Sequence, residues 1–340
     1  MSIRIMFALL LFLDLHVSLP STMAQNAPDQ IKINEEDKKD NENPNNKLLF
    51  IAVTQGDIAK VKELLNQGAD ANMLVDSNGT TLLMYTETKG RAESRIEIMK
   101  LLLEKGADVN AQDARGMTVF ILAVTGSQME SVKFLIEKGA DINAKTRESA
   151  TALHYATKKG SLEMVKFLIE KGADIHSTDK QGYTTLIYAA SGASIDILNM
   201  LIEKGADINA RAASGITPLI SAAFSGRIEN ARILIEKKAN LNARARDGLT
   251  ALKHAAIKGD PEMVKVLLEN GADPNIANRG DSTALMGAAA GGHTDIAKML
   301  LQKGANVNAK TKAGKTALQF ATEKGHADMV ALLQNAGAAP

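Results

Sequence analysis

Cysteine and tryptophan are both absent from this 340-residue chain, and aromatic residues of all kinds make up only 4% of it. Without cysteine there is no disulfide framework and no thiolate metal site, so the fold is independent of redox state, which suits an oxidising compartment. Scarce aromatics argue against a core built on large rings; alanine and leucine must fill thin layers instead. Charge of one sign is missing as well. The 40 Lys and Arg residues nearly cancel the 39 Asp and Glu, leaving a formal +1, and no global field draws the chain to nucleic acid or acidic membranes. The longest apolar run, residues 5–13, is shorter than the roughly 20 residues that span a bilayer.

What is present is periodicity. A Gly-Ala-acid signature or a close variant stands at Gly68, Gly106, Gly139, Gly172, Gly205, Gly271 and Gly304. From Gly106 to Gly337 the interval is 33 residues, with Lys238 the degenerate member between Gly205 and Gly271; only the first interval, at 38, is longer. Self-similarity at such a period marks a stacked repeat protein, whose units bury their apolar faces only against their neighbours.

One unit explains the rest. Residues 179–183 carry a turn signal, and the threonines that follow can cap a short helix over Leu186, Ile187, Ala189 and Ala190. Gly192 and Ala193 interrupt it. Residues 195–204 then predict a second helix that turns Ile195, Leu198, Leu201 and Ile202 inward, and Gly205 ends it in the left-handed conformation.

These residues resemble the ankyrin repeat. Thr151-Ala152-Leu153-His154 and Thr217-Pro218-Leu219 are variants of that family's Thr-Pro-Leu-His motif, and residues 160–165 followed by Gly172-Ala173-Asp174-Ile175 match its second helix and loop. The resemblance runs from about residue 45 to the C-terminus. It implies an all-α solenoid of about nine helix-turn-helix units with hairpin fingers, in which fingers and first helices line a concave side and second helices the outside. A domain over residues 47–340 is expected, with capping repeats at about 47–75 and 311–340.

Two departures stand out. Lys238 occupies the glycine place, where a side chain at positive φ costs about 1 kcal/mol. Residues 91–96 make the second repeat four residues longer than its sisters, which predicts a longer loop or second helix and a candidate for a specialised contact.

The N-terminus reads as an address. Arg4, the apolar run 5–13 and the small residue Ala24 predict a signal peptide over residues 1–24, cleaved before Gln25. Asp14 interrupts the run, so a retained anchor stays open as the alternative. Residues 25–46 are polar and rich in Asn, Asp, Glu and Lys, which predicts a disordered tether.

Catalytic chemistry finds no support in the pattern. Each histidine has a structural reading, with His154 in the family's threonine-to-histidine slot; no metal-ligand spacing and no nucleophilic triad order is present, and no cofactor is implied. The glycines of residues 287–292 fall inside a helical pattern and not after a strand, so they are no phosphate loop. Asn78-Gly79-Thr80 is formally a glycosylation acceptor and is read as a tight turn.

Two rows carry the functional reading. Two residues after each first-helix leucine or its equivalent stand Tyr85, Tyr155, Tyr188 and His254, with Phe224 in a neighbouring place; together they predict a partial aromatic ladder along the groove. Intramolecular packing between repeats is the alternative for the same residues. Around the finger tips stand Arg115, Arg147, Lys180, Arg211, Arg244, Arg246, Arg279 and Lys312, a basic fringe that would steer an acidic partner.

The expectation is therefore an exported, bacterial-style scaffold, periplasmic or secreted. It would bind another protein through its groove and finger tips as a monomer, with no nucleic acid, no membrane span after leader cleavage and no reaction of its own. A secreted effector acting on host proteins, and a binder of an anionic polymer through the basic fingers, are the alternatives.

Overall fold

A computed structural model of the chain describes residues 43–192 and 194–339. The expected leader, residues 1–24, and the expected tether up to residue 42 lie outside the described residues. Among the described residues, eighteen α-helices form nine pairs. The first four pairs are α1 (Pro44–Gln55) with α2 (Ile58–Asn66), α3 (Leu82–Lys89) with α4 (Arg95–Glu104), α5 (Val119–Thr125) with α6 (Met129–Glu137), and α7 (Ala152–Lys159) with α8 (Leu162–Glu170). The central pairs are α9 (Thr185–Ser191) with α10 (Ile195–Glu203), α11 (Pro218–Ser225) with α12 (Ile228–Glu236), and α13 (Ala251–Lys258) with α14 (Pro261–Glu269). The last two are α15 (Ala284–Gly291) with α16 (Thr294–Gln302), and α17 (Ala317–Lys324) with α18 (Ala327–Asn335). Among the described residues, β-structure is limited to two isolated antiparallel bridges, Leu74 with Thr81 and Thr178 with Thr184.

Each helix forms for a local reason. A threonine opens the first helix of nearly every pair: Thr184 Oγ1 accepts from the amide of Ile187 at 3.3 Å, Thr217 Oγ1 from Ile220 at 3.3 Å and Thr250 Oγ1 from Lys253 at 3.1 Å, satisfying amides that have no partner inside the helix. In the fourth pair His154 joins the cap: Nδ1 accepts the Thr151 amide at 3.2 Å, leaving the protonated Nε2 to donate to the Tyr183 carbonyl of the next finger at 3.3 Å. Burial is the main reason that this imidazole titrates below the ordinary histidine range.

First helices pack on first helices and second on second down the stack. Leu153, Leu186, Leu219 and Leu252 from one layer and Val165, Leu168, Leu198 and Leu201 from the other are shut from solvent. Second helices end on a left-handed residue, glycine in most repeats and Lys238 at φ 68° in the sixth. Lys238 thus holds the expected left-handed conformation, and α12 ends there as its sister helices do at glycine.

Three details differ from the sequence reading. Helix α1 begins at Pro44, inside the stretch expected to be tether, because proline suits a first helical turn and Asn46 Oδ1 accepts the Asp70 amide at 2.8 Å. In α10 the inward residues are Ile197, Leu198 and Leu201, while Ile195 is exposed; Ser194 caps that helix, and its first two residues, Ile195 and Asp196, face outward. The extra residues of the second repeat form a 3-10 turn, Ala92–Ser94, ahead of α4. Its contact is internal: Ser94 is buried and Arg95 Nη1 stands 4.0 Å from the buried Glu87 carboxylate. Burial lifts Glu87 to about 6 against the opposing pull of Ser131 and Arg95.

Candidate partner-binding surface

The fingers are built by two sets of backbone bonds. Within a finger the chain closes on itself, as in Asp179 N–H to Tyr183 O at 3.1 Å and Ala212 N–H to Ile216 O at 2.9 Å. Between fingers one amide donates to the finger before it: Arg147 to Arg115 O at 2.8 Å, Lys180 to Glu148 O at 2.7 Å, Arg246 to Ser214 O at 2.6 Å, Arg279 to Asp247 O at 3.2 Å and Lys312 to Gly280 O at 3.1 Å. Of the basic residues expected at the tips, Arg147, Lys180, Arg246, Arg279 and Lys312 donate to this main-chain ladder and Arg115 accepts from it, so they are held in register; Arg211 and Arg244 stand beside it.

Their side chains divide into three kinds. Arg115 is tied to Asp113 through Nε at 3.1 Å and Nη2 at 2.8 Å, and Lys180 faces Glu148 at 3.5 Å. Arg211 and Arg244 reach to the following finger, donating to Arg244 O at 2.6 Å and Ala277 O at 2.8 Å. Arg147, Arg246, Arg279 and Lys312 are exposed, and no ion pair holds any of them among the described residues. The last three stand at equivalent places in consecutive fingers.

The aromatic row is not a uniform ladder. Tyr85 is half-buried against Phe50, ring centroids 4.9 Å apart. Tyr155 is half-buried, and burial above all raises its pKa, against a bond to Thr146 and the charge of Arg115. Tyr188 is only 6% exposed. Its hydroxyl donates to Asp179 Oδ2 at 2.6 Å, and its ring packs against Tyr183 at 5.6 Å and His154 at 5.9 Å. Burial first, and that bond second, hold its phenol well above the ordinary tyrosine range. At this position the alternative of intramolecular packing describes the side chain. Phe224 and His254 stack at 4.6 Å, and burial lowers the His254 pKa to about 4, with Lys258 adding to the shift and Asp247 opposing it.

Sequence reasoning missed several residues that shape this face. Ile257, 41% exposed, stands one period after Phe224, in a slot filled elsewhere by Thr125, Lys158, Ser191, Ala290 and Glu323; comparing the repeats slot by slot would have found it. Lys253, 2% exposed, occupies the slot of His154 and donates from Nζ to Ser282 O of the next finger. Burial lowers its pKa to about 8, against the pull of Asp247. Asn230, buried in α12, donates from its amide to Ala189 O, Ala190 O and Gly192 O at 3.3, 3.0 and 2.9 Å, closing the end of α9.

The loops carry a second ladder that the repeated asparagine could have announced. Asn143 donates to Gly172 O at 3.2 Å and accepts from the Asp174 amide at 2.9 Å, and Asn110 and Asn275 make the equivalent pair of bonds, each to the repeat that follows it. At His176 the asparagine is replaced. No bond from its side chain to Asp207 occurs among the described residues. No group of three or more His, Cys, Asp or Glu there could hold a metal ion, and no helix there is long and apolar enough to cross a membrane.

The family model described as "Ankyrin repeats (3 copies)" matches six times, over residues 29–113, 49–146, 91–179, 120–212, 209–278 and 276–340. Among curated proteins, the chain is 41% identical over 75 residues to a 2-5A-dependent ribonuclease of Mus musculus, a span of 22% of this chain and 10% of the ribonuclease. It is 34% identical over 76 residues to the potassium channel AKT3 of Oryza sativa subsp. japonica, covering 22% and 8% of the two chains. It is 40% identical over 81 residues to M-phase phosphoprotein 8 of Mus musculus, covering 24% and 9%. The matched segments amount to a tenth or less of these relatives.

Proposed function

We propose that this chain, which belongs to the ankyrin-repeat family, is an exported scaffold that binds a partner protein through its first-helix face and finger tips, without a reaction of its own. The repeats themselves are a protein-interaction scaffold, and the finer assignment is ours. The observation that carries it is the main-chain ladder between fingers. It presents exposed side chains of successive repeats in fixed register, where they hold no core in place and vary from repeat to repeat. An array ordered before binding loses little conformational freedom on contact. Export rests on the Arg4, apolar-run and Ala24 pattern, and it places the partner in a periplasm or outside the cell.

Capture from periplasmic and secreted fractions of the native cells tests the reading, using the full chain beside two variants. The first combines Tyr155→Ala with charge reversal of Arg147, Arg246 and Arg279; the second reverses Glu137 and Glu170 on the second helices. We expect one stoichiometric protein, retained by the second variant and lost by the first, and a chain whose N-terminus is Gln25. Loss with the second variant alone would overturn the surface. An intact residue 1 with the chain confined to the cytoplasm would overturn export.

A further inference from the structure

We infer that the binding surface is confined to the sixth to ninth repeats, and that it receives an acidic amphipathic helix of a partner protein; this rests on the scaffold reading above. Three observations converge there. The first is apolar. In the slot near the end of the first helix, polar or small in other repeats, Phe224 and Ile257 stand in consecutive repeats. His254 stacks on Phe224 at 4.6 Å and lies one helical turn from Ile257. Gly287 extends this spot: a Cβ there would stand 2.7 Å from Ile257 Cγ1, so the missing side chain lets Ile257 lean over the joint while remaining exposed.

The second is charge. Arg246, Arg279 and Lys312 occupy one equivalent place in three consecutive fingers, are exposed, and have no ion-pair partner among the described residues. Arg246 and Asp247 stand in the finger that leads directly into the helix of His254 and Ile257, and the Arg279 amide donates to Asp247 O, so the fringe and the apolar spot belong to the same repeats. In the N-terminal half Arg147 alone stands exposed and without an ion pair at the equivalent place among the described residues, and groups near it are engaged. Arg115 is bound to Asp113, Lys180 faces Glu148, and Tyr188 gives its hydroxyl to Asp179.

The third concerns the form of the partner. At each joint between fingers one amide and one carbonyl are already paired with each other, which leaves no continuous row of backbone groups for an added strand, so docking proceeds through side chains. Packed helical layers repeat every 8 to 10 Å or so, and two turns of an α-helix advance about 10.8 Å. A helix with carboxylates seven residues apart therefore meets successive cations, and an apolar residue between them covers Phe224 and Ile257. Charge complementarity sets the encounter rate and the apolar contact lengthens the bound state.

The test is selection, with the full chain, from a displayed library of randomised helical peptides, followed by fluorescence anisotropy of the enriched sequences. Binding is measured to the wild type, to Arg246→Glu with Arg279→Glu, to Ile257→Ser, and to Arg147→Glu with Tyr155→Ala, each checked for wild-type circular dichroism. We expect enrichment of Asp or Glu at seven-residue spacing around an apolar residue. Affinity should fall at least tenfold with the double reversal and about fivefold with Ile257→Ser, and change less than twofold with the N-terminal pair. Enriched peptides that lose affinity only with the N-terminal pair would overturn this inference and leave the scaffold reading standing. No enriched peptide, together with equal binding of polyglutamate and heparin that vanishes in salt, would overturn both in favour of an anionic polymer.

Discussion

The phenol of Tyr188 donates to the carboxylate of Asp179 at 2.6 Å, tying a first helix to the finger of its own repeat. The other oxygen of Asp179 accepts the amides of Gln181 and Tyr183, both at 2.9 Å. Tyr188→Phe removes one bond to a buried carboxylate, so we expect a loss of about 1–3 kcal/mol. Urea denaturation measures it. Partner capture should be unchanged, because the hydroxyl faces inward; a variant with normal stability but lost capture would return Tyr188 to the binding surface.

Lys253 replaces a histidine in a slot closed to water. Its amine has a pKa of about 8 in the fold against 10.5 when free, so between those values the unfolded chain holds more protons and stability rises with pH. Below pH 8 the cost is fully present; above 10.5 it is gone. Lys253→Met places there the residue found at Met84 and Met286 and should stabilise the chain at pH 7 by about 1–3 kcal/mol. Denaturation at pH 7 and pH 10 checks both signs, since the difference between variant and wild type must shrink at the higher pH.

His176 breaks the loop ladder that Asn143 and Asn209 continue on either side. His176→Asn should add a bond to the Asp207 amide and gain about 0.5–1.5 kcal/mol, whereas Asn143→Ala should lose two bonds and about 1–3 kcal/mol. Hydrogen exchange at the Asp207 and Asp174 amides gives the site-specific readout, with slower exchange expected at the first and faster at the second.

Lys238 holds φ 68°, a conformation its side chain disfavours. Lys238→Gly should therefore raise stability by about 0.5–1 kcal/mol, the reverse of the usual effect of glycine in a regular element. Thermal unfolding of the two chains decides the sign.

Much of this molecule is legible in its repeats because the governing interactions are local. The threonine caps, the glycine that ends each second helix and the leucines that alternate with alanine all recur at a fixed spacing. His154 could be assigned to its cap, and Lys238 to positive φ, from position alone. The aromatic row was harder to read. Tyr85, Tyr155 and Tyr188 occupy one register position, yet Tyr155 is half-buried while Tyr188 is enclosed by Tyr183 and His154. Those neighbours come from a finger and from the preceding repeat. The basic fringe was visible as composition, but which cations remain unpaired depends on Asp113 and Glu148 and on the reach of Arg211 and Arg244 to carbonyls of the next finger.

The sequence by itself determined the all-α repeat architecture and the recurring places of the threonine caps and of the residue that ends each second helix, since each follows from residues within one 33-residue period. The tertiary structure alone decided which members of each register row are free to meet a partner. Burial and pairing at any position are set by the repeats stacked on either side, and a side chain's own period holds no record of them.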